Sequence, residues 1–208
     1  MSYKTVAKSA IVEQVIEKSR FIAHITYVES KEDADAFFSD VRKEHRSASH
    51  NVPAMVLGEK SQIQWASDDG EPQGTSGVPM LQMLVNEGIA NVAVIVTRYF
   101  GGTKLGTGGL VRAYTNSAKL ALKEAGIVEV KEMCVVTYEI DYTYYDKLKS
   151  MEESQSWSID NIEYSDKVCV DIVVDPVETA PLEDSLAMLT AGKAVNKGSV
   201  MREVRVIL

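Results

Sequence analysis

Cysteine is scarce in this chain. Cys134 and Cys169 are its only two, with no C-x-x-C and no Cys/His cluster. That excludes a disulfide scaffold and a structural zinc site. Long apolar runs are missing as well: no stretch approaches the ~18 uninterrupted apolar residues of a membrane span. The opening Met1-Ser-Tyr-Lys-Thr-Val has no apolar signal-peptide core. The expectation is a cytoplasmic protein in a reducing compartment, with no membrane contact. A basic excess is also absent: a net charge of −8 excludes a uniformly basic nucleic-acid binder. Glycine is nearly missing from the last third, where only Gly192 and Gly198 occur.

The composition is otherwise that of an ordinary globular protein, 45% hydrophobic and 25% charged over 208 residues. The charge is uneven. Residues 1–132 hold 15 Lys/Arg and 16 Asp/Glu, whereas residues 133–208 hold 7 and 14. Residues 88–123 contain no acid but carry Arg98, Lys104, Arg112, Lys119 and Lys123. This is a local positive field inside an acidic protein. Nine of the 13 glycines fall within residues 70–109, and such crowding marks close backbone approach or left-handed turns.

Periodicity divides the chain into elements. Residues 9–17 and 20–28 are short and β-branched, and read as a hairpin. Ser30 with Asp33 forms a capping box ahead of Ala34, Phe37, Phe38 and Val41 at helical spacing. A strand follows at 53–58, then a turn-rich loop at 67–75. A helix through Met80, Leu81, Leu84 and Val85 stops at Gly88. The continuous apolar run 91–97 is a buried central strand. Residues 110–125 form a third helix ending at Gly126, and a strand starts at Val128. Beyond a boundary near 132, strands at 134–142, 157–164, 168–174 and 200–208 alternate with helices at 144–153 and 181–191. This βαββαβ order is the ferredoxin-like pattern. The organisation expected is α+β, with domains 1–132 and 133–208.

Two motifs carry chemistry. Asp68-Asp69-Gly70-Glu71-Pro72 crowds three carboxylates into four residues. Their mutual repulsion calls for a partner: a divalent cation, Lys/Arg, or the N-terminus of the next helix. An ordinary Asp/Gly/Pro turn produces the same string. The second motif runs from a buried strand through Arg98, Gly101, Gly102, Lys104, Gly106, Gly108 and Gly109 into a helix. A helix N-terminus offers free N–H groups and a positive dipole end, so the segment can cradle an anion. It is not a P-loop, because Thr107-Gly108 stands where Lys-Ser/Thr is needed. It is not a dinucleotide fingerprint, because Val111 occupies the third glycine position. Purely structural glycines are the competing explanation.

Other signals are weaker. His50, in a polar run before a strand, is a candidate base or RNA contact, or simply a surface histidine. His24 alternates with apolar neighbours and reads as structural. The two cysteines sit in strands as inert thiols. Tyr142, Tyr144 and Tyr145 lie in the acidic part, where packing or a protein contact is favoured over base stacking. No G-x-S-x-G occurs, and no metal site or cofactor is expected.

These strings resemble the signature of the YigZ/IMPACT family: Asp68-Asp69-Gly70-Glu71-Pro72-x-Gly74-Thr75-x-Gly77-x-Pro79, then Val96 through Gly102 and Lys104 through Tyr114. Ser19-Arg20-Phe21-Ile22-Ala23 and Ala48-x-His50-Asn51 match lesser motifs of that family. The resemblance spans the chain in the bacterial two-domain form. It implies a ribosomal-protein-like βα first domain, similar to domain IV of elongation factor G, and a ferredoxin-like second domain. Eukaryotic relatives act in translational control.

The function expected is a non-enzymatic, translation-associated factor binding RNA or the ribosome. Arg98, Lys104 and Arg112 would meet phosphates, with the glycine-loop amides and His50 beside them. One alternative is a phosphate- or nucleotide-handling enzyme with Mg²⁺ on Asp68, Asp69 and Glu71. Another is a protein-interaction module regulating translation.

Overall fold

The computed structural model describes residues 2–207. The protein is α+β with two antiparallel sheets. It divides into two compact units, Ser2–Val130 joined by the chain's end from Arg205, and Lys131–Val204.

The first unit holds β1 (Ser2–Val6), β2 (Ala10–Ile16), β3 (Ser19–Tyr27), α1 (Lys31–Glu44), β4 (His50–Leu57) and β5 (Ile63–Ala66), then α2 (Gly77–Asn86), β6 (Val92–Tyr99) and α3 (Gly106–Ala125). Its sheet runs β2-β3-β6-β4-β5. The central strand β6 reads as an unbroken apolar run because both its faces are covered. Val92, Val94 and Val96 join the core with Met80 and Leu84 of α2 and Leu110, Ala113 and Tyr114 of α3. Ala93 and Ile95 face the other way, onto Ala34, Phe38 and Val41 of α1. Alternate residues of a strand point to opposite faces, so one strand serves two layers. Each such valine or leucine, fully buried, contributes about 1.5–3 kcal/mol.

Local signals decide several boundaries. The Ser30 hydroxyl accepts from the Asp33 amide, and the Asp33 carboxylate accepts from the Ser30 amide, so the capping box is reciprocal. The β2–β3 hairpin turns on Glu17 and Lys18, both with positive φ, the geometry of a tight primed turn.

Three departures from the sequence reading stand out. β1 and β5 are strands too short and mixed to carry a clear period. The third helix begins at Gly106 rather than 110, so three of the loop glycines belong to its first turn. The strands expected from 128 and at 134–142 are one continuous strand, β7 (Ile127–Ile140).

The second unit takes most of β7, then α4 (Tyr142–Glu152), β8 (Ser158–Tyr164), β9 (Val168–Val174), α5 (Thr179–Thr190) and most of β10 (Val195–Ile207). β9 lies between β7 and β8, and β10 pairs with β7. Its core gathers Val136, Tyr138 and Ile140 of β7, Leu148 of α4, Val170 and Ile172 of β9, and Leu182 and Leu186 of α5. Cys134 is buried and Cys169 half-buried, and both are free thiols. Tyr144 and Tyr145 pack against this core, whereas Tyr142 is exposed and stacks on Tyr164. No helix among the described residues is long and apolar enough to cross a membrane.

Candidate functional site

Pairing register assembles the site. Arg98 near the end of β6 lies opposite Phe21 of β3 on one side and His50 of β4 on the other. Arg98 is in phase with Val92, Val94 and Val96, so its side chain goes under α3 instead of into solvent. It is only 5% exposed. Its Nη1 donates to Glu71 Oε1 at 2.7 Å and its Nη2 to the Ser19 hydroxyl at 3.3 Å. The guanidinium also lies against the Phe21 and Phe100 rings, 5.4 and 5.3 Å from their centroids. Tyr114 of α3 closes the group from above. Its hydroxyl donates to Glu71 Oε1 at 2.7 Å, and its ring meets Phe21 edge-on. Burial first, then the Glu71 carboxylate, pushes the Tyr114 hydroxyl far above its ordinary pKa, so it stays a donor.

The three crowded carboxylates find three different partners. Asp68 caps α2 from outside the helix. It accepts from the amides of Gly74, Ser76 and Gly77 and from the Ser76 hydroxyl, at 2.7 to 3.1 Å. Burial acts to raise its pKa, but these donors outweigh it and hold the carboxyl below its ordinary value. Asp69 accepts from the Asn51 amide at 2.6 Å. Glu71 is the arginine's partner. Of the three, Glu71 alone lines the cleft described next. Among the described residues no group of three or more His, Cys, Asp or Glu is placed to hold a metal ion.

A cleft of about 410 Å³ brings the two motifs together. It is lined by His50, Glu71, Pro72 and Arg98 on one side of the sequence, and by Phe100, Lys104–Thr107 and Leu110 on the other. The N-terminus of α3 opens into it. No side chain caps that end and its first turn holds no acid, so the early amides keep their hydrogens free. Lys104 and Arg112 are exposed, and they also line a neighbouring depression of about 530 Å³ with Thr103 and Asn116.

The glycines have separate jobs. A methyl at Gly101 would overlap the Lys18 carbonyl in the β2–β3 turn, so this glycine allows two backbones to touch. Gly102 and Gly106 have φ of +87° and +70° and open space around them, the left-handed backbone that glycine adopts without strain. Gly108 and Gly109 lie in the first turn of α3. Gly108 has only the Arg112 guanidinium near it.

His50 is half-buried. Its Nδ1 lies 2.8 Å from the Asp69 carbonyl and its Nε2 lies 3.8 Å from Glu71 Oε1. His24 is buried and pairs with His45, Nε2 to Nε2 at 3.2 Å, while His45 Nδ1 meets the Tyr99 hydroxyl at 3.0 Å. Burial and the neighbouring His45 lower the His24 pKa. Sequence reasoning passed over Tyr114, Phe100 and His45. Tyr114 falls four residues after Leu110, on the buried helix face, where a tyrosine needs a polar partner. That spacing was the available signal.

Comparison with known proteins agrees with this layout. Residues 17–122 match the family described as the Impact N-terminal domain, and residues 139–193 match a domain of unknown function. The chain is 42% identical over 193 residues to the IMPACT family member YvyE of Bacillus subtilis, covering 93% of this chain and 89% of that protein. It is 34% identical over 188 residues to the IMPACT family member YigZ of Escherichia coli, covering 89% and 92%. A crystal structure described as that of a hypothetical protein is 32% identical. It covers 94% of this chain and 96% of that one, with a TM-score of 0.61.

Proposed function

The chain belongs to the IMPACT family, in its two-domain bacterial form, and on that premise we propose that it is a translation-associated factor that grips RNA, free or in the ribosome, at the α3 face of its first unit. The observation that carries this reading is the uncapped, acid-free N-terminus of α3 with Lys104 and Arg112 exposed beside it. Free amides and two exposed cations suit a phosphate backbone. Phe100, 48% exposed at the cleft, offers a ring on which a base can stack. Arg98 drops out of the contact set expected from sequence, because Glu71 already neutralises it.

Translation as the setting rests on the family, whose eukaryotic members act in translational control. The strand order β10-β7-β9-β8 supports reading the second unit as ferredoxin-like. The ribosomal-protein-like reading of the first unit rests on the family resemblance. The engagement of Asp68 and Asp69 by backbone amides favours RNA binding over a Mg²⁺-dependent enzyme.

The test is fluorescence anisotropy of a labelled single-stranded RNA titrated with the full-length protein. The wild type binds at low salt, and the Lys104→Ala/Arg112→Ala double variant loses most of that affinity. Equal binding by both proteins would overturn the assignment of this face.

A further inference from the structure

The cleft holds more than a phosphate cradle. Arg98 and Tyr114 both bond Glu71 Oε1. Both bonds fall on one oxygen of a carboxylate that is only 4% exposed and lines the cleft. The Asp69 carbonyl can only accept, so His50 Nδ1 carries the proton in that bond. Nε2 then keeps its lone pair. When Nε2 takes up a proton, Glu71 at 3.8 Å is placed to stabilise the imidazolium. The Arg98–Tyr114 pair holds the carboxylate in position for that task. Gly106 and Thr107 line the same cleft with amides that no side chain caps. Pro72, Phe100, Leu105 and Leu110 supply apolar walls.

We infer that this cleft hydrolyses a carboxylic ester carried on the 3′ end of an RNA, with His50 as the general base. The inference rests on the RNA-binding reading above, and it adds an activity to it. One imidazole of fixed tautomer suits acyl transfer. It can take a proton from the attacking water and return it to the leaving oxygen on the same side of the carbonyl. In-line phosphoryl transfer instead needs a base and an acid on opposite sides of phosphorus. The apolar walls fit an acyl group.

The step balances without another reactant. His50 Nε2 takes a proton from water as the water oxygen bonds to the ester carbonyl carbon. The carbonyl electron pair moves onto its oxygen, which the Gly106 and Thr107 amides receive. On collapse the bond from carbon to the ribose oxygen breaks, and the Nε2 proton goes to that oxygen. The products are a carboxylic acid and an RNA with a free 3′-hydroxyl.

The test uses the full-length protein and a short RNA hairpin esterified at its 3′ end with an N-acetylamino acid. Released N-acetylamino acid is measured over time. A second hairpin, joined to the same acyl group through an amide, reports binding by anisotropy. The wild type is expected to shorten the ester's lifetime about a hundredfold or more, the order of a general-base contribution. His50→Ala, checked for an unchanged melting temperature, is expected to lose that acceleration and regain part of it with added imidazole. If the amide-linked hairpin binds with steep salt dependence while the ester's lifetime equals that in buffer, the hydrolytic inference is overturned and RNA binding stands. Absence of binding to the amide-linked hairpin would remove both. Full hydrolysis by His50→Ala, or no rescue by imidazole, would overturn the role of His50.

Discussion

Removing the Arg98 guanidinium would leave Glu71 buried without its cationic hydrogen-bond partner, with the Tyr114 hydroxyl at 2.7 Å and the His50 ring at 3.8 Å beside it. Breaking a buried ion pair from one side costs about 3–5 kcal/mol, because the surviving charge is uncompensated. Lys104 is exposed, and surface substitutions of this kind stay within about 0.5 kcal/mol. Urea denaturation of Arg98→Ala and Lys104→Ala should therefore separate the two cations: a large loss of stability for the first and almost none for the second. Equal, small effects would mean that Arg98 is not the structural member of the pair. The same contrast explains why two cations six residues apart have different work. Strand phase sends one under α3, and the loop leaves the other in water.

At the scale of an element, α2 depends on a residue outside it. Ser76 occupies the N-cap position but makes no side-chain cap of its own. Asp68 supplies the acceptors instead, and it carries a negative charge to the positive end of the helix. Its carboxyl is held below the ordinary value of 3.8. A depressed folded pKa means that this contribution is fully present above the unfolded pKa and is lost as pH falls through the folded one. Asp68→Asn should lower the denaturation midpoint near neutral pH. The gap between variant and wild type should narrow as pH falls below the ordinary carboxylate range toward the lowered pKa of the folded carboxyl. A gap that stays constant down to strongly acidic pH would show that the charge on Asp68 is not what holds the turn. α1 is the opposite case. Its cap lies within four consecutive residues, which is why Ser30 and Asp33 announced it in the sequence.

For the whole molecule, the uneven charge has a consequence for binding. Residues 133–208 carry 14 acids against 7 cations, while residues 88–123 carry no acid. An acidic surface elsewhere on the chain repels RNA through solvent over about a Debye length, ~10 Å at 0.1 M salt. Replacing the exposed Glu153, Glu163 and Glu183 by Gln should therefore tighten RNA binding at low salt, and the difference should disappear at high salt. If the triple variant binds like the wild type at low salt, the acidic unit plays no part in restraining the basic face.

Much of the secondary structure was legible in the chain because it is set by neighbours. The apolar run of β6, the capping box of α1 and the leucines of α5 state their own environment within a turn or a few residues. The family was legible for the same reason: long strings of unusual spacing, from Asp68 to Pro79 and from Val96 to Tyr114, can be matched without coordinates. The pairing of Glu71 with Arg98 and Tyr114 was not legible. It joins a loop, a strand end and a helix separated by 27 and 43 residues. Nor did the string of glycines reveal which one lets two backbones touch and which ones begin a helix. Those roles depend on the depth at which a side chain comes to lie once sheet and helix have closed. Local spacing determined most of the elements and the kinship of this protein, but not the short strands β1 and β5 or the continuity of β7. Only the tertiary structure, by burying some charges and leaving others in water, decided which residues hold the cleft together and which stay exposed beside it.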